Sequence, residues 1–324
     1  MNKVEILACP TCKGSPLEKN KESYTCISCG STFPIHKGIP VFLNKNSAII
    51  AKESSRAEFW DAGWDKRNKT LLSLNRKEIL EERVNYLSYL TDWGYPSAID
   101  LSEKNVGGKN FLNVGCGGGY EGLLFAGYGT NYIGVDFSHN AVHYTQQLIT
   151  NAGFQAETYQ CEAEALPFQD TSIDVVYSSG VLHHTPNTED ALKEVFRVLK
   201  PGGMAMIGLY ATYSPMFIWY RFHAIIRGNW TKKSIDDWMN ANTEGDWQTE
   251  NRVNIWTKTY NKLQFTNLMK RVGFSNIQIQ QTPQLLEDFP ILGKLSKVIL
   301  SQSITKTKLG RFGPMLIATC TRED

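Results

Sequence analysis

The chain has 324 residues, 42% apolar and 20% charged, with a net charge of +2. That length and balance suit one large buried core with a small appendage, and nothing in them demands nucleic acid or an anionic membrane as a partner; DNA is not expected. No apolar stretch reaches the roughly 18 residues a membrane span needs, and Met1–Pro10 lacks the apolar core of a signal peptide, so a cytoplasmic protein is expected. Its seven cysteines are then expected as thiols or metal ligands.

In chain order, the first feature is the pair Cys9-Pro-Thr-Cys12 and Cys26-Ile-Ser-Cys29, each followed closely by a glycine, Gly14 and Gly30. Two thiolates in a tight turn facing two more offer tetrahedral sulfur coordination, which suits Zn²⁺. Iron in a rubredoxin-like site is the chief competitor, and two disulfides are the plainer one. So short a segment has too little core to fold alone, so a bound metal would supply much of its stability. Phe33–Phe42 reads as a strand leading into the main body, with His36 on the surface. Residues 44–55 are small and polar, a linker, which gives an expected division at 1–45 and 46–324. Trp60 and Trp64 share a helical face, either packing a helix on the core or forming a lid over a ligand. Leu71–Leu90 is amphipathic and helical.

The centre of the chain is Phe111–Gly122, FLNVGCGGGYEG. A short apolar run reads as a buried parallel strand and leads into Gly115, Gly117, Gly118 and Gly119. A second strand, Tyr132–Val135, ends in Asp136. Strand, glycine turn, helix, strand, acid is the front half of a nucleotide-binding βαβ unit, in which the acid accepts the ribose hydroxyls. A dinucleotide turn would want a small residue where Tyr120 stands, and no Lys-Ser/Thr follows for a P-loop. Ser138 caps a helix to about Ala152. Phe154–Cys161 and Ser172–Ser178 are the third and fourth strands, Thr188–Leu199 is a helix that Lys200-Pro-Gly-Gly203 stops, and Met204–Leu209 is the fifth strand. Residues 210–260 are rich in aromatics, among them Trp219, Tyr220, Trp230 and Trp256, which either line a pocket or form a small core of their own. Lys262–Arg271 is a helix stopped by Gly273, and Ile277–Gln281 and Met315–Thr321 are the last strands. Lys294–Arg311 reads as a solvated basic surface.

The turn Val114-Gly115-Cys116-Gly117-Gly118-Gly119 resembles motif I of the class I S-adenosylmethionine (SAM)-dependent methyltransferases. The following run, CEAEALPFQDTSIDVVYSSGVLHHTPNTEDALKEVFRVLKPGG, resembles the branch of that family containing UbiE-type small-molecule enzymes (methyltransferase type 11). LACPTC…CISCG…FPIHKGIPVF resembles a Trm112p-like zinc ribbon. The resemblance implies a Rossmann-like α/β fold: a seven-stranded sheet with helices on both faces, a core over about 106–209, a small N-terminal zinc ribbon, and a cap over about 210–260 inserted after strand five. It implies SAM bound by Asn113, Gly115, Cys116, Gly117, Asp136, Phe137, Glu162, Ala163 and Ser178, Zn²⁺ bound by Cys9, Cys12, Cys26 and Cys29, and His183 and His184 near the methyl as candidate general bases. Asn113 departs from the family, which carries an acid there to pair with the cofactor's ammonium group.

The leading expectation is therefore methyl transfer to a small molecule, lipid precursor or glycan. An RNA or protein acceptor gripped by the ribbon is the second reading. It is disfavoured by near-neutral charge and by a ribbon offering only Lys13, Lys19, Lys21, Lys37 and one stacking ring, Tyr24. A non-catalytic SAM-binding partner subunit is a third, suggested by Asn113. A nicotinamide-dependent oxidoreductase is a fourth, disfavoured by Tyr120.

Overall fold

The computed structural model describes residues 6–43, 58–65, 72–92, 101–228, 240, 256–282 and 312–323. Strands β1 (Leu17–Lys19), β2 (Ser23–Cys26), β3 (Thr32–His36) and β4 (Ile39–Pro40) form a small antiparallel sheet in sequential order. Helices α1 (58–65), α2 (Arg76–Asp92) and α3 (Glu103–Val106) follow. The main body alternates β5 (Asn110–Val114), α4 (Tyr120–Ala126), β6 (Asn131–Asp136), α5 (His139–Asn151), β7 (Glu157–Gln160) and β8 (Ile173–Ser179). It continues through a 3₁₀ turn at Leu182–His184, α6 (Thr188–Val198), β9 (Leu199–Tyr210), α7 (Pro215–Ile226), α8 (Lys262–Val272), β10 (Ser275–Gln281) and β11 (Met315–Thr321).

The large sheet has seven strands in the order β10-β11-β9-β8-β5-β6-β7. Pairs from β9 through β7 are parallel, and β11 runs antiparallel between β9 and β10. The chain moves outward from β5 to β7 and then returns to β8 beside β5. That reversal opens a crevice at the carboxyl ends of β5 and β8, where ligands bind in sheets of this kind.

Both faces are buried, as the continuous apolar runs require. Successive strand residues point to opposite sides. Leu112, Val114, Ile133, Val135 and Val176 pack with α6 and α8, whereas Phe111, Tyr132, Val175 and Tyr177 pack with α2, α3 and α4. The helix ends follow local chemistry. Ser138 accepts from the Ala141 N–H, Asn187 caps α6, and Gly273 closes α8 at φ 112°.

Two boundaries differ from the sequence reading. The third strand begins only at Glu157, because Gly153 and Phe154 still close the end of α5 through N–H donation to Thr150 and Ile149. Lys200-Pro-Gly-Gly203 does not separate α6 from a strand starting at Met204. Leu199 already pairs with Ile173, and the ladder resumes at Val175–Met204, so residues 200–203 bulge out of β9. Most of the expected cap, residues 229–239 and 241–255, lies outside the described residues, as do the linker at 44–55 and the basic stretch at 294–311.

The N-terminal sheet is welded to the main body. Ala8 N–H donates to Pro167, Gln169 N–H to Ile6, and Phe42 N–H to Gln160 beside a Val41–Gln160 bridge at the free edge of β7. Leu17, Tyr24, Phe33 and Phe42 belong to the same apolar cluster as Tyr159 and Phe168. His36 is exposed, and its ring lies 4.7 Å from that of His139 on α5.

Candidate functional site

The site grows from the turn after β5. The N–H groups of Gly115 and Cys116 both donate to Val135 on β6, at 2.7 and 2.9 Å. Gly115 has φ +78°, and a Cβ there would strike Val181; Gly117 has φ +51°, and its Cβ would sit 2.6 Å from the Trp64 ring. Conformation and close approach both demand glycine at these two places. Asp136, at the tip of β6, fastens the far side: Oδ2 accepts from Gly117 N–H at 3.0 Å and Oδ1 from Ser138 N–H at 2.9 Å.

This turn opens on a cavity of about 610 Å³ at the carboxyl edge of the sheet, within the roughly 300–1,000 Å³ common for small-molecule sites. Of the residues expected from sequence, Gly115, Cys116, Gly117, Asp136, Phe137 and Ala163 line it, and so does His184. Asn113, Glu162, Ser178 and His183 are not in its wall. The pleat explains two of these. Asn113 is 1% exposed and donates from Nδ2 to the Tyr132 hydroxyl at 3.1 Å. Ser178 is wholly buried, and its neighbour Ser179 lines the cavity instead. Glu164, two residues beyond Glu162, reaches the wall and accepts from Asn187 N–H at 3.2 Å.

The two histidines part company. His183 is wholly buried 3.9 Å from the Tyr210 ring, with no hydrogen-bond partner at either nitrogen, and burial pushes its pKa well below the ordinary value. It is a neutral packing residue. His184 Nδ1 lies 2.9 Å from the Trp256 carbonyl. Only an N–H can donate there, so Nδ1 carries the proton and Nε2 is the basic nitrogen.

Opposite the glycine turn, α1 contributes Trp60 and Trp64 to the wall. Phe59 anchors this helix in the interior. Asp61 accepts from the Ser138 hydroxyl and from Asn140 N–H, which pins α1 across the start of α5. Tyr86, Tyr89, Glu121 and Glu164 also line the cavity, and sequence reasoning did not single them out. Glu121 had a local signal, its place two residues after the last glycine. Tyr86 and Tyr89 had none beyond the amphipathic pattern of α2.

A second centre lies in the N-terminal sheet. The sulfurs of Cys9, Cys12, Cys26 and Cys29 all lie within 4.8 Å of one another. Cys9–Cys29 and Cys12–Cys26 are 3.7 and 3.6 Å apart, too far for a disulfide of about 2.05 Å. A tetrahedron with metal–sulfur bonds of about 2.3 Å has edges of about 3.8 Å, so the four thiols fit a tetrahedral cation. The Ser31 hydroxyl beside Cys29 holds that thiol down at about 6. Among the described residues no other Cys, His or acid group is gathered in this way.

Two stretches of the chain match known families. Residues 112–207 match the profile of the methyltransferase domain family, and residues 4–38 match that of the Trm112p-like proteins. An uncharacterised methyltransferase of Mycobacterium marinum is 35% identical over 35% of this chain and 43% of its own length. A 2-methyl-6-phytyl-1,4-hydroquinone methyltransferase of Synechocystis is 32% identical over 40% and 39%. A ubiquinone biosynthesis O-methyltransferase of Pseudomonas fluorescens is 30% identical over 49% and 61%. The chain therefore spans less than two thirds of each of these relatives. Among solved structures, a SAM-dependent methyltransferase of Thermotoga maritima has 18% identity and a TM-score of 0.44 over 76% of this chain and 99% of that one. What the chain shares with these families is therefore confined to residues 112–207, similar to methyltransferase domains, and residues 4–38, similar to Trm112p-like proteins.

Proposed function

We propose that this protein transfers a methyl group from SAM to a small-molecule acceptor, with Zn²⁺ held by Cys9, Cys12, Cys26 and Cys29. The observation that carries the reading is the cavity at the sheet reversal, floored by the Gly115–Gly117 backbone and bounded by Asp136. When bound, SAM supplies an electrophilic methyl on a sulfonium, open to in-line displacement. The protein's share is to bind, align and exclude water. Asp136 would hold the ribose hydroxyls, and Phe137 and Ala163 would lie against the base, with Glu164, which lines the cavity, better placed than Glu162 for a polar contact there. The Gly115 and Gly117 backbone leaves room for the tail. Trp60 and Trp64 close the cavity from the lid side, and aromatic faces also favour a cationic sulfur.

His184 is the candidate base. Its protonated Nδ1 is anchored on Trp256, which leaves Nε2 as the atom to take a proton from a hydroxyl acceptor. His183, neutral and outside the wall, packs against His184 with the ring centroids 4.2 Å apart. A cavity of this size with Trp60, Trp64, Tyr89 and Tyr210 in its wall supports a flat or apolar small acceptor rather than RNA. The ubiquinone and phytylhydroquinone enzymes among the relatives point the same way, so phenols and hydroquinones belong first in an acceptor screen. Residues 1–45 act as the metal-binding unit and 46–324 as the transferring unit, sharing one core.

The test is a calorimetric titration of metal-replete protein with S-adenosylhomocysteine beside NADH. Micromolar binding of S-adenosylhomocysteine alone, followed by transfer of label from SAM to a phenolic acceptor, is the expected result. Binding of NADH alone would overturn the reading. Elemental analysis should find one zinc per chain; iron with its visible absorption would overturn the metal assignment.

A further inference from the structure

We propose that Glu121 receives the α-ammonium of the methyl donor, the charge that Asn113 cannot pair with; this inference rests on the cavity being a SAM site. Three carboxylates line the cavity, those of Glu121, Asp136 and Glu164, and among the described lining residues there is no Lys or Arg. The field is therefore arranged for a cationic ligand.

Strand order separates the three acids. Glu121 opens α4 after β5, Asp136 ends β6, and Glu164 lies in the turn after β7, with β5, β6 and β7 adjacent in that order. A nucleoside that rests its ribose on Asp136 and its base against Phe137 and Ala163 directs its amino-acid tail toward β5, the side of Glu121. The other acids are engaged by backbone amides. Asp136 holds Gly117 and Ser138, and Glu164 holds Asn187.

Glu121 accepts from a phenol that belongs to a row of three tyrosines. The Tyr86 hydroxyl donates to its Oε1 at 2.7 Å, and the Tyr86 ring lies 5.5 Å from Tyr120 and 5.9 Å from Tyr89. A carboxylate oriented by a hydroxyl and framed by aromatic faces is a receptor for an organic cation. Asn113 is no substitute. Its amide is buried behind the wall, turned to Tyr132, and carries no charge.

The test titrates full-length, metal-replete wild type and Glu121→Gln with two ligands. One is S-adenosylhomocysteine, and the other is its deaminated analogue, which keeps the carboxylate and lacks only the amine. Glu121→Gln is expected to weaken S-adenosylhomocysteine by roughly ten- to a hundredfold and the deaminated analogue by less than about twofold. Glu121→Asp should recover part of the loss. Unchanged binding of the deaminated analogue also reports that the variant is folded. Equal losses for both ligands, or no loss for either, would overturn the assignment while leaving the SAM reading intact. Failure of wild type to bind either ligand would remove both. If Glu121→Gln does not fold, Tyr86→Phe carries the same comparison: a loss confined to the amine-bearing ligand supports the assignment, and an equal effect on both overturns it.

Discussion

His183 and His184 are neighbours in sequence and both are buried, but only His184 has a partner for Nδ1, the Trp256 carbonyl, and a place in the cavity wall. For His184, substitution to Gln should lower the methyl-transfer rate to a hydroxyl acceptor by about 10²–10⁴, with the dissociation constant of S-adenosylhomocysteine little changed; rates under saturating SAM check this. For His183, the consequence is pH-dependent stability. Its native pKa is depressed by burial, whereas an unfolded histidine titrates near 6.5. Below about pH 6.5 the unfolded chain takes up a proton that the native state refuses. Stability therefore falls on acidification, by up to about 1.4 kcal/mol per pH unit from this group, and is unaffected by it above that range. Urea unfolding between pH 5 and 7.5 should show this slope in wild type and a shallower one in His183→Phe.

At the scale of elements, the cavity is made by loops and by residues of α1, α2 and α4 laid over the edge of the sheet. The lid α1 is held from outside the cavity, by Asp61 on Ser138 and Asn140. Asp61→Ala should raise the dissociation constant of S-adenosylhomocysteine several-fold, chiefly through faster dissociation, which stopped-flow tryptophan fluorescence would follow at Trp60 and Trp64. The glycine turn is braced from beneath in a similar way. Ile39 of β4, Cys116 of the turn and Val142 of α5 form their own buried cluster. Ile39→Ala leaves a void of the kind that costs about 2–5 kcal/mol, and it should also weaken cofactor binding although Ile39 is not in the cavity wall.

At the scale of the whole molecule, the N-terminal sheet and the main body share one core. Lys13, next to Cys12, lies 2.7 Å from Glu194, and Glu194 accepts from Leu166 N–H in the turn that carries Ala163 and Glu164. The four-thiol knuckle thus reaches the Ala163–Glu164 side of the cavity through one ion pair and one backbone bond. Cys26→Ser, or chelation, should lower the melting temperature of the entire chain in one cooperative transition, with cofactor binding lost together with it; differential scanning calorimetry with and without chelator checks this. Two separate transitions would mean that the units fold independently.

Short-range chemistry was readable from the order of residues alone. The CxxC pairs, the glycine turn, the acid after β6 and the helix ends at Ser138 and Gly273 all follow from spacing, φ preference and capping, and each was legible. The alternation of apolar runs with helical segments implied a parallel sheet, whereas the order of its strands, with the reversal between β7 and β8, came only from the fold. Which side chains meet was settled by long-range packing. It turned Asn113 and Ser178 into the packing and brought Ser179 and Glu164 to the wall, because a strand or turn residue faces a cavity or a core according to a pleat that sequence spacing blurs at loop ends. It brought Tyr86, Tyr89, Glu121 and Trp64 to one cavity from three separate helices, and Ile39 beneath the glycine turn from another sheet. Such meetings depend on how helices and sheets pack at long range, and no local propensity encodes them.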